Sequence, residues 1–181
     1  SATHHSIMDL SYLRAIPNIS IYYPSTLKDC ENVVKKRINK NQNNPMIILH
    51  PYEPVKDDVK IKFRGNEYDY LIKDSNKNLL ITTGNYLKRA NQIKKNLLKN
   101  NKKISIVCIK RIKPISIKIS KLLSDYSNIS VVEENTLLGG LGSAILELNN
   151  SSNKPRKLML FGIKDKFIEP GSSKECSIEA N

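Results

Sequence analysis

"ISVVEENTLLGGLGSAILEL", residues 129–148, passes from a β-branched run through three glycines in four positions into an apolar stretch. Strand, tight turn and helix in that order are the repeating step of an α/β chain. The same spacing invites a phosphate-cradling reading, which the residues oppose. A dinucleotide fingerprint needs Gly-x-Gly-x-x-Gly after the first strand of its unit. Gly140 and Gly142 supply the first two glycines, but Ile145 stands at the third, where a branched side chain opposes close packing of helix on strand. A Walker loop needs Gly-Lys-Ser/Thr, which is absent here. The stretch therefore reads as a strand-to-helix turn whose glycines allow unusual φ and close approach.

Outward from it the same alternation recurs. Upstream lie a strand "LLITTG", a helix over 85–100, a strand "ISIVCI" and a helix in "ISIKISKLLSDY"; downstream lie a helix over 142–149 and a strand "KLMLFG". These make a four-stranded unit. Residues 51–78 are charged and broken by Pro and Gly, reading as a connector with a small hairpin. Ahead of it, "IMDLSYLRAI" has helical spacing and stops before Pro17, and "ISIYYP" is a strand. Ser25 or Thr26 caps a helix over "LKDCENVVKKRI" in which Leu27, Val33, Val34 and Ile38 share a face, and "PMIILHP" is a buried strand. This first unit has two parallel strands joined by a right-handed crossover, too few to cover both faces of a sheet. Another chain completes it, or the sequence is cut from something longer.

Composition narrows the classes. With 39% hydrophobic and 26% charged residues the chain is that of a globular protein, and no apolar run approaches the roughly 20 residues of a membrane span. "SATHHSIMDL" lacks the regions of a signal peptide, so cytoplasm, or an organelle stroma after import, is the expected compartment. Cys30, Cys108 and Cys176 stand far apart, without metal-ligand spacing, and read as ordinary thiols. A net charge of +13 raises nucleic acid as a partner. The cations are mostly Lys spread among Asn and Ile, Trp is absent, and nucleic-acid binding is not expected.

The glycine stretch with its acidic pair closely resembles the C-terminal domain of the transketolase family. "THHSIMDLSYLRAIPNISIYYPS" (3–25) resembles the second half of that family's pyrimidine-binding domain, "IKRIKPIS" (109–116) its Arg-x-x-Lys-Pro segment and "GIKDKFIEPGSSKE" (162–175) its closing stretch. "DLSYLRAIP" is similar to the deoxyxylulose-phosphate synthase branch; "THHS" and "GIKDKF" are similar to the C-terminal subunits of two-gene transketolases. The resemblance implies an α/β fold: a partial pyrimidine-binding domain with a parallel βαβ unit over 1–54, a connector over 55–78, and a C-terminal-like domain with a mostly parallel sheet over 79–181. In the family the glycine turn binds no cofactor and supports packing and dimer contacts.

Family enzymes use thiamine diphosphate and Mg2+ to transfer a two-carbon unit. The magnesium-binding Asp-Asn motif and the activating Glu of the pyrimidine domain are not in this sequence. The resemblance thus implies a missing N-terminal diphosphate-binding part, on the same or a separate chain, and homo-oligomeric assembly. No cofactor is expected on this chain alone. What remains is "THH". Imidazole suits proton transfer near neutral pH, though adjacent histidines in a loop do not by themselves mark a site. The family's motif assigns His4 to the donor's oxygens as a catalytic and substrate-binding residue, with His5 beside it. The family strand that ends in a phosphate-gripping Arg corresponds to "PMIILHPYEP", where the two common Arg positions are Tyr52 and Leu49; Tyr52 offers one hydroxyl where phosphate favours a charged fork. His50 reads as a strand-end residue with its ring half-buried, and Asp9 as a helix-dipole partner. Two other readings stand beside this one: a non-catalytic dimerisation protein of the same descent, and a basic nucleic-acid module.

Overall fold

The computed structural model describes residues 6–39, 43–50, 68–74 and 77–169. His4, His5, Tyr52 and Cys176 lie outside them, as does the Gly-Asn turn of the expected hairpin.

The larger sheet has five strands: β3 (Tyr68–Ile72), β4 (Asn78–Thr83), β5 (Ser105–Ile109), β7 (Asn128–Thr136) and β8 (Leu158–Ile163), in the order β3-β5-β4-β7-β8. The four strands read from the sequence, β4, β5, β7 and β8, pair in parallel. β3 pairs antiparallel with β5, so this part of the connector becomes an edge of the sheet. Parallel strands are covered on both faces and so read as continuous apolar runs. Successive β4 residues accordingly divide: Leu79 and Ile81 face the main core, while Leu80 joins Ile106 and Ala90 under α3 (Leu87–Lys99) on the other face. α3 ends where Asn101 takes φ 53° and Lys102 N–H bonds the Leu97 carbonyl, a left-handed cap that turns the chain into β5.

The smaller sheet, order β2-β1-β6, joins β1 (Ser20–Tyr22) in parallel to β2 (Met46–Ile48). Its third member, β6 (Arg111–Lys113), comes from the resembled Lys-Pro segment and pairs antiparallel with β1. Periodicity could not announce β6: three residues beside a proline carry no pattern, and the partner lies about ninety positions away. Ile21 of β1 is fully buried in the same cluster as Leu79, Ile109, Ile129 and Ile145. The two expected units therefore share one core.

α1 (Asp9–Ala15) packs into this core through Leu10, while α4 (Lys118–Ser124) and α5 (Leu141–Asn150) contribute Ile119, Leu122, Leu123, Leu141 and Ile145 to it. α2 (Leu27–Asn39) departs from expectation. Thr26 Oγ1 accepts the Asp29 N–H and Ser25 N–H reaches back to Asp29 Oδ2, the reciprocal capping pattern. Its apolar face is open, however: Leu27 and Ile38 are each 72% exposed, and its buried residue is Asp29. β2 is half-buried along its length, not the buried strand that its composition indicates. With two strands in parallel and one short edge, the small sheet offers α2 little surface to cover.

Candidate functional site

Open α/β sheets take ligands beyond the carboxyl ends of their strands, where the strand order reverses. Here that place is the end of β4, with β5 on one side and β7 on the other. The protein fills it with its own residues. A Cβ on Gly84, just past β4, would lie 2.2 Å from the Pro24 carbonyl oxygen, so the chain after β1 closes directly over the strand end. Tyr23 N–H bonds the Lys110 carbonyl at 2.7 Å.

The glycine turn is filled as well. Glu133, on β7, turns its carboxylate to the start of α5, accepting the Leu141 N–H at 2.7 Å and the Gly142 N–H at 2.8 Å. A helix start whose amides and dipole would favour an anion already has one. A Cβ on Gly140 would stand 2.2 Å from Glu133 Oε2, so this glycine is required by closeness; its φ is −75°. Among the described residues the left-handed glycine is Gly139, φ 76°, lying against Ser11 of α1. The unusual φ expected of the stretch is thus confined to Gly139. A phosphate would find both amides already taken by a buried carboxyl here, and the turn does not fit the diphosphate of a cofactor.

Burial pushes the Glu133 carboxyl up to about 7, against the pull of the two amides and the Arg14 guanidinium. Between its ordinary 4.5 and about 7 the folded chain holds a proton that the unfolded chain has released. Stability should therefore fall as pH rises through that window. Glu133→Gln, which cannot ionise, should flatten this part of the profile in urea melts from pH 4.5 to 8; an unchanged slope would show that Glu133 does not titrate there.

A second buried group lies past β5. Lys110 Nζ bonds Asp69 Oδ2 of β3 at 2.5 Å and faces Asp29 Oδ1 of α2 at 3.3 Å, all three side chains being almost fully buried. Desolvation raises the Asp29 pKa, and Lys110 opposes it. Ser25 Oγ sits 3.0 Å from Cys108 Sγ, whose thiol burial pushes up to about 12. A thiol so raised stays protonated and is no nucleophile, as the ordinary reading of Cys108 requires; Cys30 is half-buried and also free. Sequence reasoning missed the Lys110 cluster. Its one signal was a Lys directly after a strand that is buried throughout.

Of the flanking candidates, Asp9 opens α1 and accepts the Tyr12 hydroxyl at 3.0 Å, and Leu49 N–H bonds the Tyr22 carbonyl. His50 is exposed, not half-buried, because β2 ends two residues before it on an open edge. Among the described residues there is no group of three or more His, Cys, Asp or Glu placed to hold a metal ion, and no helix long and apolar enough to cross a membrane.

The chain matches the pyrimidine binding domain of transketolase over residues 1–55 and the transketolase C-terminal domain over residues 69–180. It belongs to the transketolase family. Among curated transketolase-family relatives it is 28% identical to 1-deoxy-D-xylulose-5-phosphate synthase of Clostridium tetani over 177 residues, covering 93% of this chain and 27% of that protein. It is 29% identical to the synthase of Helicobacter pylori strain HPAG1, covering 94% of this chain and 28% of that protein. The chain thus spans little more than a quarter of the length of these relatives. Two solved structures share the fold. A split gene transketolase, described as an inactive beta4 tetramer, superposes with TM-score 0.75 at 24% identity, over 93% of this chain and 56% of that one. The transketolase of Campylobacter jejuni gives 0.61 at 22% identity, over 98% and 26%. The family is one that depends on thiamine diphosphate.

Proposed function

We propose that this chain is the C-terminal section of a thiamine diphosphate-dependent two-carbon transferase of the transketolase or deoxyxylulose-phosphate synthase type, inactive alone. The observation that carries the reading is the order of the two family domains, 1–55 and then 69–180, on one chain with no diphosphate-binding domain among them. The crevice beyond β4 is closed by Pro24 and the glycine turn by Glu133; the family's motif assigns the chemistry to "THH" (3–5). His4 contacts the donor's oxygens and moves a proton there; His5 supports it. Tyr52 stands where a phosphate-binding Arg is usual and turns preference toward donors lacking a phosphate.

The rest of the enzyme is supplied by a diphosphate-binding part, on the same or another polypeptide, in a homo-oligomeric assembly in the cytoplasm or an organelle stroma. A separate chain is in keeping with the split gene neighbour. Calorimetry with Mg2+ present should show no thiamine diphosphate binding by this chain, and binding plus ketol transfer once the diphosphate-binding part is added. Micromolar affinity in the chain alone would refute the division of labour. Restored assembly without ketol transfer would favour the non-catalytic dimerisation reading.

A further inference from the structure

Lysines are spread along this sequence, but their excess over carboxylates is not. Residues 75–124 hold 13 Lys and Arg and no Asp or Glu, so this stretch carries the whole net charge of +13 while the rest of the chain is balanced. The fold gathers part of that excess, with cations from either side of the stretch, on one rim of the large sheet. β4, β5, β7 and β8 run in parallel, so their amino ends share one edge, and the antiparallel β3 finishes there. Lys73 follows β3, Lys102 and Lys103 lie just ahead of β5, Lys77 ahead of β4 and Lys157 ahead of β8, all of them exposed. Leu79 stands level with Ser105, which puts Lys77 level with Lys103 two residues earlier. Neighbouring strands are about 4.8 Å apart, so the row across five strands is about 19 Å long.

The rim is pinned through its backbone. Asn78 Nδ2 donates to the Lys103 carbonyl at 3.2 Å and Asn128 Nδ2 to Asn78 Oδ1 at 2.9 Å, while the N–H groups of Ser127 and Asn128 share the Lys77 carbonyl at 3.0 and 2.9 Å. Among the described residues Lys102, Lys103 and Lys157 form no ion pair, and the carboxylates of this edge, Asp74 and Asp125, form none either. Ammonium groups held side by side repel one another and cost the isolated chain stability. The opposite edge carries carboxylates instead: Glu133 late in β7, and Asp69 early in β3, level with Cys108 of β5.

We propose that this rim, Lys73, Lys77, Lys102, Lys103 and Lys157, is a docking surface for an acidic polypeptide. Ammonium groups meet carboxylates one at a time, whereas phosphate favours the guanidinium fork. The Arg beside the row, Arg156, is half-buried and gives Nη2 to the Ser124 carbonyl at 2.7 Å. Nucleic acid would also need rings on which to stack its bases, and the rings at this edge are turned inward: Tyr126 is 6% exposed, with its hydroxyl 3.4 Å from that of Tyr70. β4 is six residues long, about 20 Å, so a partner docked on this rim leaves the carboxyl ends of the strands free.

Titrations of the full chain test this against a dye-labelled peptide of about ten glutamates spaced by glycine, an oligouridylate of equal charge, and vesicles of phosphatidylcholine with phosphatidylserine. The peptide should bind tightest of the three, and its affinity should fall about fivefold or more as NaCl rises from about 50 to about 200 mM. Lys102→Gln/Lys103→Gln/Lys157→Gln should weaken peptide binding about tenfold, whereas Lys35→Gln/Lys36→Gln/Lys164→Gln, an equal loss of charge on α2 and after β8, should change it less than about twofold. The rim variant should melt no lower than wild type, since it relieves repulsion, so that lost affinity is not lost folding. Tighter binding of RNA or of vesicles, equal weakening by both triple variants, a lower melt in the rim variant, or an affinity indifferent to it would each overturn the proposal.

Discussion

Lys110→Ala should destabilise the chain by about 3–5 kcal/mol near neutral pH, the loss typical when one partner of a buried ion pair is removed. The replacement would leave the Asp29 and Asp69 carboxylates buried, close together and without a counter-charge. Asp29, already raised by desolvation, would lose the Lys110 charge that opposes the rise. A raised carboxylate pKa costs stability as pH rises past the unfolded value. The penalty should accordingly shrink toward pH 4, where the Asp29 carboxyl takes up a proton. Urea titrations of wild type and variant at pH 4.5 and 7.5 would test this. A loss below 1 kcal/mol at pH 7.5, or an equal loss at both pH values, would refute the account. Because Lys110 ties α2 to β3 across the end of β5, the variant should also loosen the closure of Pro24 over Gly84.

His4→Ala, in the enzyme completed by its diphosphate-binding part, should lower turnover by about 10²–10³-fold, as loss of an oxyanion donor does. A hydrogen bond that strengthens as a carbonyl oxygen gains charge acts on kcat and kcat/KM together. Folding should barely change. His5→Ala should cost less. Tyr52→Arg should admit phosphorylated donors by restoring a bidentate cation. Steady-state ketol transfer beside thermal melts decides the matter: wild-type turnover at unchanged stability would reduce "THH" to an ordinary loop.

Element type was legible wherever an apolar run was long enough to show its period. β4, β5, β7 and β8, with the helices between them, lie where alternating strand and helix patterns place them. Thr26 caps α2 as a hydroxyl ahead of a helical run indicates. The patterns failed where an element takes its meaning from distant partners. Leu27, Val34 and Ile38 have the spacing of a buried face, yet all three are exposed. β6 is too short to have a period, and its pairing with β1 is a property of the closed fold.

By itself, then, the sequence determined the α/β class, the alternation of the longer strands and helices, the poor fit of the glycine stretch to a nucleotide loop, and the family. Such features are written in local spacing and in motifs, which survive without knowledge of what touches what. Only the tertiary structure decided why the glycine stretch is closed to anions. A Glu eight residues before Leu141 could as well have faced solvent; folding buries it against the amides of α5 and brings Arg14 from 125 residues away onto the turn. The Lys110 cluster was decided in the same way, from α2, β3 and the end of β5. Buried charges must find partners because the interior will not solvate them, and which partners they find depends on how the sheets close.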